Sequence, residues 1–196
     1  MIYYPNIKTL FLASLGTGSH SLNRFLSKVN DENSTDPLEY NTEVTLPEVA
    51  YETLIASVAN PYSRVYFKWN RRKEWLTREK RENEILSFPD FVKKEVYKTN
   101  PAISCVSTVL TANNITPTVI IRLESIKSDI KLIPGLNLVS NRNHRKSFER
   151  YIASENAINK NTLDWRNNYT QETADLIYTA LVNDFTTYKY NKDSWK

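Results

Sequence analysis

The sequence predicts an α/β fold: a mostly parallel central sheet flanked by helices. Three observations lead there. Short apolar runs suited to buried strands alternate with stretches of helical periodicity. Two of the chain's three glycines, Gly16 and Gly18, fall in one turn between such a run and such a helix. The composition is that of a globular protein, with 40% hydrophobic and 24% charged residues over 196 positions.

At this length one full hydrophobic core is expected, so residues 1–196 read as a single domain. No internal repeat and no linker between separate domains is seen. The 26 Lys and Arg against 22 Asp and Glu leave a formal charge of +4, which suits anionic ligands but falls short of a dedicated nucleic-acid binder. Cys105 is the single cysteine, which excludes an internal disulfide and a multi-cysteine metal site. It reads as buried filler in the apolar stretch Ile103 to Leu110. The opening residues, Met1 to Asn6, lack the pattern of a secretory signal, and no apolar run reaches the roughly 18 residues of a membrane span. A soluble, cytoplasmic protein is expected.

Ile7 to Leu15 is apolar almost throughout, as in a parallel strand buried on both faces. After the turn Gly16-Thr17-Gly18-Ser19-His20-Ser21, apolar residues at Leu22, Phe25, Leu26 and Val29 repeat with the period of a helix packed on one side. Asn30 to Pro47 is polar and punctuated by prolines, as expected of a long loop. Thr53 to Ala59 reads as a second buried strand, with Pro61 fit for the first turn of the helix that follows. That helix brings Val65, Tyr66 and Trp69 to one face and runs into the charged segment Asn70 to Glu74. Ser87 and Asp90 resemble a capping box ahead of Phe88, Phe91, Val92 and Val96. Thr118 to Leu123 reads as a third strand. A short helical segment over Ile126, Ile130 and Ile133 is closed by Gly135, and Thr170 caps one last helix carrying Ala174, Ile177, Leu181 and Phe185.

The glycine turn can be read in two ways. Glycines permit close backbone approach, so amide groups can converge on an anion at the helix start, with Ser19 and Ser21 adding hydroxyls. The same residues can also serve as a tight connection. Two phosphate-binding motifs fit poorly: no lysine lies between Lys8 and Lys28, and a dinucleotide fingerprint needs a third glycine where Ser21 stands.

The order of the motifs resembles the sulfotransferase family, especially its membrane-type and carbohydrate branches. Thr17-Gly18-Ser19-His20-Ser21-Leu22 is similar to the family's Thr-Gly-Thr-Thr-Ser-Leu, and Val58-Ala59-Asn60-Pro61-Tyr62-Ser63-Arg64 to its Val-Arg-Asn-Pro-Tyr-x-Arg. Ile121 to Ile126 resembles its Gly-Arg-Phe-Glu-Asn-Leu. Asn168-Tyr169-Thr170 and the stretch Asp184 to Tyr190 resemble its closing motifs. The resemblance spans nearly the whole chain and implies a three-layer, P-loop-like fold.

It also implies a function: transfer of a sulfuryl group from 3′-phosphoadenosine-5′-phosphosulfate to a hydroxyl or amine, the acceptor being a carbohydrate or small molecule. No metal is expected. The implied donor-binding residues are Gly16, Thr17, Gly18, Ser19, His20, Ser21 and Leu22, with Arg64 at the second junction and Asn143, Arg145 and Lys146 in a late basic loop. The family's first-loop lysine aligns with Gly16, its second-junction arginine with Ala59 and its following serine with Phe67. His20 and His144, the only two histidines, lie in the presumed site loops and are candidates for taking the acceptor proton. A chain without those three contacts can alternatively bind a nucleotide or glycan and transfer nothing.

Overall fold

A computed structural model describes residues 2–4, 7–12, 19–30, 50–96, 106–112, 114–133 and 165–196. Four strands, β1 (Ile2–Tyr4), β2 (Thr9–Leu12), β3 (Thr53–Val58) and β4 (Val119–Arg122), form one sheet in that order. β1 is antiparallel to β2, while β2, β3 and β4 run parallel. The fold is therefore α/β with a mostly parallel sheet, as the alternation of patterns predicts. The expected strands are present at Thr9–Leu12, Thr53–Val58 and Val119–Arg122. β1 is additional: three residues are too short for a period of two to show.

The described residues fall into two compact units, Met1–Ala59 with Leu110–Thr162 and Asn60–Val109 with Leu163–Lys196. In the first, cross-strand register sets Ile2, Phe11, Ile55 and Val119 in one row across all four strands, each of them buried. Helix α1 (Ser19–Asn30) covers that core with Leu22, Phe25 and Leu26. The segment after β4, which includes the single turn α5 (Ile126–Asp129), adds Ile126, Ile130 and Ile133. Burying each such side chain contributes about 1.5–3 kcal/mol.

The second unit is helical: α2 (Pro61–Arg78), α3 (Phe88–Val96), the first four residues of α4 (Val106–Ala112), α6 (Gln171–Ala180) and α7 (Val182–Tyr188). Asn60 opens α2 by accepting the Tyr62 N–H at 3.0 Å, and Pro61 takes the first helical position, where its missing donor costs nothing. Tyr62, Val65 and Tyr66 face a core with Phe88, Phe91 and Val92 of α3 and Ala174 and Ile177 of α6. Its centre is aromatic: Tyr169 meets Tyr62 edge-on at 5.2 Å and Phe88 at 4.9 Å, and its hydroxyl donates to the Tyr62 carbonyl at 2.7 Å. Ser87 caps α3 as expected, with its Oγ 3.3 Å from the Asp90 N–H.

Two expectations are corrected. The closing helix is not continuous: it breaks at Leu181, which leaves helical geometry at φ −118°, ψ 21° before α7 begins. Leu181 and Phe185 both remain buried across the break. The capping of α6 is as read, with Thr170 and Thr173 each accepting the other's backbone N–H through its side-chain oxygen. The second correction is α4, a helix in a stretch read only as apolar. Its Val-Ser-Thr-Val composition has poor helix propensity, and its cap comes from far along the chain.

That cap is Asp184. The carboxylate accepts the N–H groups of Val106 at 3.1 Å and Ser107 at 2.8 Å, and the Ser107 hydroxyl at 2.7 Å. Arg64 Nη2 donates to the same carboxylate at 2.6 Å, both side chains being almost wholly buried. Removing one partner of such a pair strands the other's charge. Asp184→Asn is expected to destabilise the protein by about 3–5 kcal/mol in chemical denaturation. The double substitution Arg64→Met/Asp184→Asn should cost less than the sum of its two single changes.

Candidate functional site

Parallel strands present their carboxyl ends at one edge of the sheet, and in open α/β sheets ligands bind there. In this chain Leu12, Val58 and Arg122 close β2, β3 and β4 at that edge. The segment from Leu12 to the start of α1 at Ser19 holds the glycine turn. Gly16, Thr17 and Gly18 lie outside the described residues, as do Asn143, His144, Arg145 and Lys146, residues 31–49 and Cys105. Ser19, His20 and Ser21 are the first three residues of α1, and Ser19 is buried.

The start of α1 is fixed from below. Leu22 is fully buried in the core against the sheet, so its side chain anchors the helix. Asn23, one residue on, is also buried and accepts the Tyr4 hydroxyl through Oδ1. α1 is thus held to β1 by a hydrogen bond and to the sheet by packing.

Arg122 is a cation at the carboxyl edge that reading the sequence for site residues passed over. Its backbone N–H donates to Asp129 Oδ2 at 2.9 Å, and its guanidinium stands 3.8 Å from the same oxygen. Ser125 Oγ also donates to that oxygen, at 2.8 Å, so Asp129 gathers the turn after β4 around itself. The guanidinium stays more than a third exposed. The signal was available: Arg122 is the first charge after the apolar run Val119-Ile120-Ile121.

The second junction departs from what the resemblance implies. Arg64, expected among the donor-binding residues, is 2% exposed and donates to Asp184 at 2.6 Å. Ala59, at the family's arginine position, is buried. Phe67, at the serine position, points outward and is 43% exposed.

One turn beyond Arg64 lies Lys68. Burial, and then the charge of Arg64, lower its pKa from 10.5 to about 8, against the opposing pull of Glu95 on α3 and Asp184 on α7. Among the described residues no group of three or more His, Cys, Asp or Glu is placed to hold a metal, and no helix is long and apolar enough to cross a membrane.

The lowered Lys68 value fixes a sign. Below about pH 8 both folded and unfolded chains carry the proton, and the folded state bears the full penalty of the charged amine. Above it the folded state releases the proton first, so stability rises with pH towards the unfolded value of 10.5. Burial raises Tyr62, Tyr66 and Tyr169 above their ordinary 10.0, which turns the trend downward beyond about pH 10. Denaturation midpoints measured between pH 7 and 10 should rise for the wild type and stay flatter for Lys68→Met, which should be the more stable of the two near neutrality. No family model, curated protein or solved structure matches this chain.

Proposed function

We propose that residues 1–196 form a single three-layer, P-loop-like sulfotransferase domain. It binds 3′-phosphoadenosine-5′-phosphosulfate and moves the sulfuryl group to a hydroxyl or amine of a carbohydrate or small molecule. The observation that carries this reading is the register of β2 and β3. The strand before Gly16-Thr17-Gly18-Ser19-His20-Ser21 and the strand before Asn60-Pro61 are parallel neighbours, paired Leu12 to Ala56. Two motifs that begin 44 positions apart, at Gly16 and Asn60, thus follow adjacent strands in the sequence, in the order the resemblance requires.

The donor, when bound, supplies an activated sulfuryl group whose sulfur–oxygen bond to phosphate breaks as the acceptor oxygen or nitrogen bonds to sulfur. The chain's part is to hold charge and move one proton. Backbone amides from Gly16 to Ser21 and the Ser19 and Ser21 hydroxyls hold the 5′ end. Asn143, Arg145 and Lys146, with Arg122 from β4, supply donors and positive charge. His20 or His144 takes the acceptor's proton. Arg64 serves at one remove, by fixing α2 through Asp184.

A second reading has its own observation. With Gly16, Ala59 and Phe67 at the positions of the family's lysine, arginine and serine, three contacts of the family pattern have no counterpart at their positions. A protein that binds the nucleotide and transfers nothing fits those facts. The two readings separate in one experiment, incubation with labelled donor and a panel of hydroxyl acceptors, beside thermal unfolding with adenosine 3′,5′-bisphosphate. The transferase reading expects labelled product, lowered about 10²–10⁴-fold in His20→Ala if that imidazole is the base. It also expects stabilisation of about 2.7 kcal/mol at 100-fold excess over Kd. Stabilisation without product selects the second reading, and absence of both overturns the two together.

A further inference from the structure

A ladder of cations runs out of the core along one face of α2. Arg64, Lys68 and Arg72 follow at i, i+4 and i+8, so successive members lie one turn, about 6 Å, apart. Arg64 is wholly buried, Lys68 is partly exposed and Arg72 is exposed. Two buried carboxylates act on Lys68 from other helices, Glu95 of α3 and Asp184 of α7. Asp184 already accepts four hydrogen bonds, the most its lone pairs allow, and one of them comes from Arg64. Lys68 therefore stands between two guanidinium groups, set into a buried charge cluster on one side and open to solvent on the other.

We propose that Lys68 is a nucleophilic amine that forms an imine with a small aldehyde or α-keto acid, whose carboxylate Arg72 receives. The lysine nitrogen bonds to the carbonyl carbon, and the carbonyl oxygen leaves as water with the two amine hydrogens, so neither oxidant nor reductant is needed. Desolvation and a neighbouring cation are what activate a lysine for this chemistry, and both act here. They bring its pKa to about 8, which leaves roughly a tenth of the amine neutral at pH 7 against about 0.03% of an ordinary lysine. A lysine that only solvated a helix face would gain nothing from a place beside a buried guanidinium, and an apolar side chain there would relieve the fold of the charge. The cluster also narrows the chemistry. A protonated imine keeps the positive charge that Glu95 faces, whereas acylation would erase it. The Arg64 charge is answered by Asp184, so a ligand's negative group falls to Arg72.

The inference stands independently of sulfuryl transfer. It is tested by incubating the full chain with glyoxylate and cyanoborohydride, which traps an imine as a secondary amine, and mapping the labelled lysines by mass spectrometry. Acetaldehyde is the uncharged comparison. At pH 7 Lys68 should label about tenfold or more faster than the exposed Lys80 and Lys131, and this ratio should shrink as the pH is raised from 7 to 10. Arg72→Gln, at an exposed position, should lower glyoxylate labelling of Lys68 about threefold or more, leave acetaldehyde labelling unchanged and unfold thermally like the wild type. Labelling of Lys68 no faster than of Lys80 and Lys131 overturns the proposal, as does a ratio that does not change with pH. Equal glyoxylate labelling of the wild type and Arg72→Gln overturns the assignment of an anionic ligand.

Discussion

A single carboxylate organises the second unit. Asp184 takes four hydrogen bonds, from the Arg64 guanidinium, two backbone amides at the start of α4 and the Ser107 hydroxyl. It neutralises a cation that could not otherwise stay buried, and it supplies the acceptor that a seven-residue helix of poor propensity lacks in its own sequence. α2, α4 and α7 meet at this group. The aromatic core beside it, from Tyr62 through Tyr169 to Phe88, depends on α2 being held in that position.

The first unit rests on a different constraint, the register of short strands. A shift of one residue in β2 would move Phe11 off the row it forms with Ile2, Ile55 and Val119. Leu22 and the Tyr4–Asn23 hydrogen bond then fix where α1 begins. β2 and β3 are parallel neighbours through this register, paired from Thr9–Thr53 to Leu12–Ala56.

What could be read from the sequence was local. Thr53–Val58 and Val119–Arg122 are apolar runs bounded by polar residues, α2 carries Pro61 and a regular inward face, and Ser87 and Thr170 announce their helices within four residues. What escaped depends on distant partners. α4 is stabilised by a residue 77 positions away, so its own segment shows no cap. The break at Leu181 leaves every residue of the expected apolar stripe buried, so periodicity gives no hint of it. Arg64 matches a ligand-facing motif residue by residue, and only the fold shows that its charge is already answered. Arg122 was legible as a charge ending an apolar run, but only strand pairing places it at the carboxyl edge.

The reach of the Arg64–Asp184 pair also bears on how the protein is made. Each unit is assembled from two separate stretches of chain, with 60–109 inserted in one and 110–162 in the other. Arg64 emerges during synthesis 120 residues before the group that neutralises it. At about 5–20 residues per second this is a wait of roughly 6–24 s. Over that interval α2 has neither its ionic partner nor the α6 side chains that cover its aromatic face. On the nascent chain the apolar face of α2 therefore stays uncovered until the C-terminal stretch has emerged. The chain's folding yield should respond to translation speed more than that of a protein whose units close in sequence order.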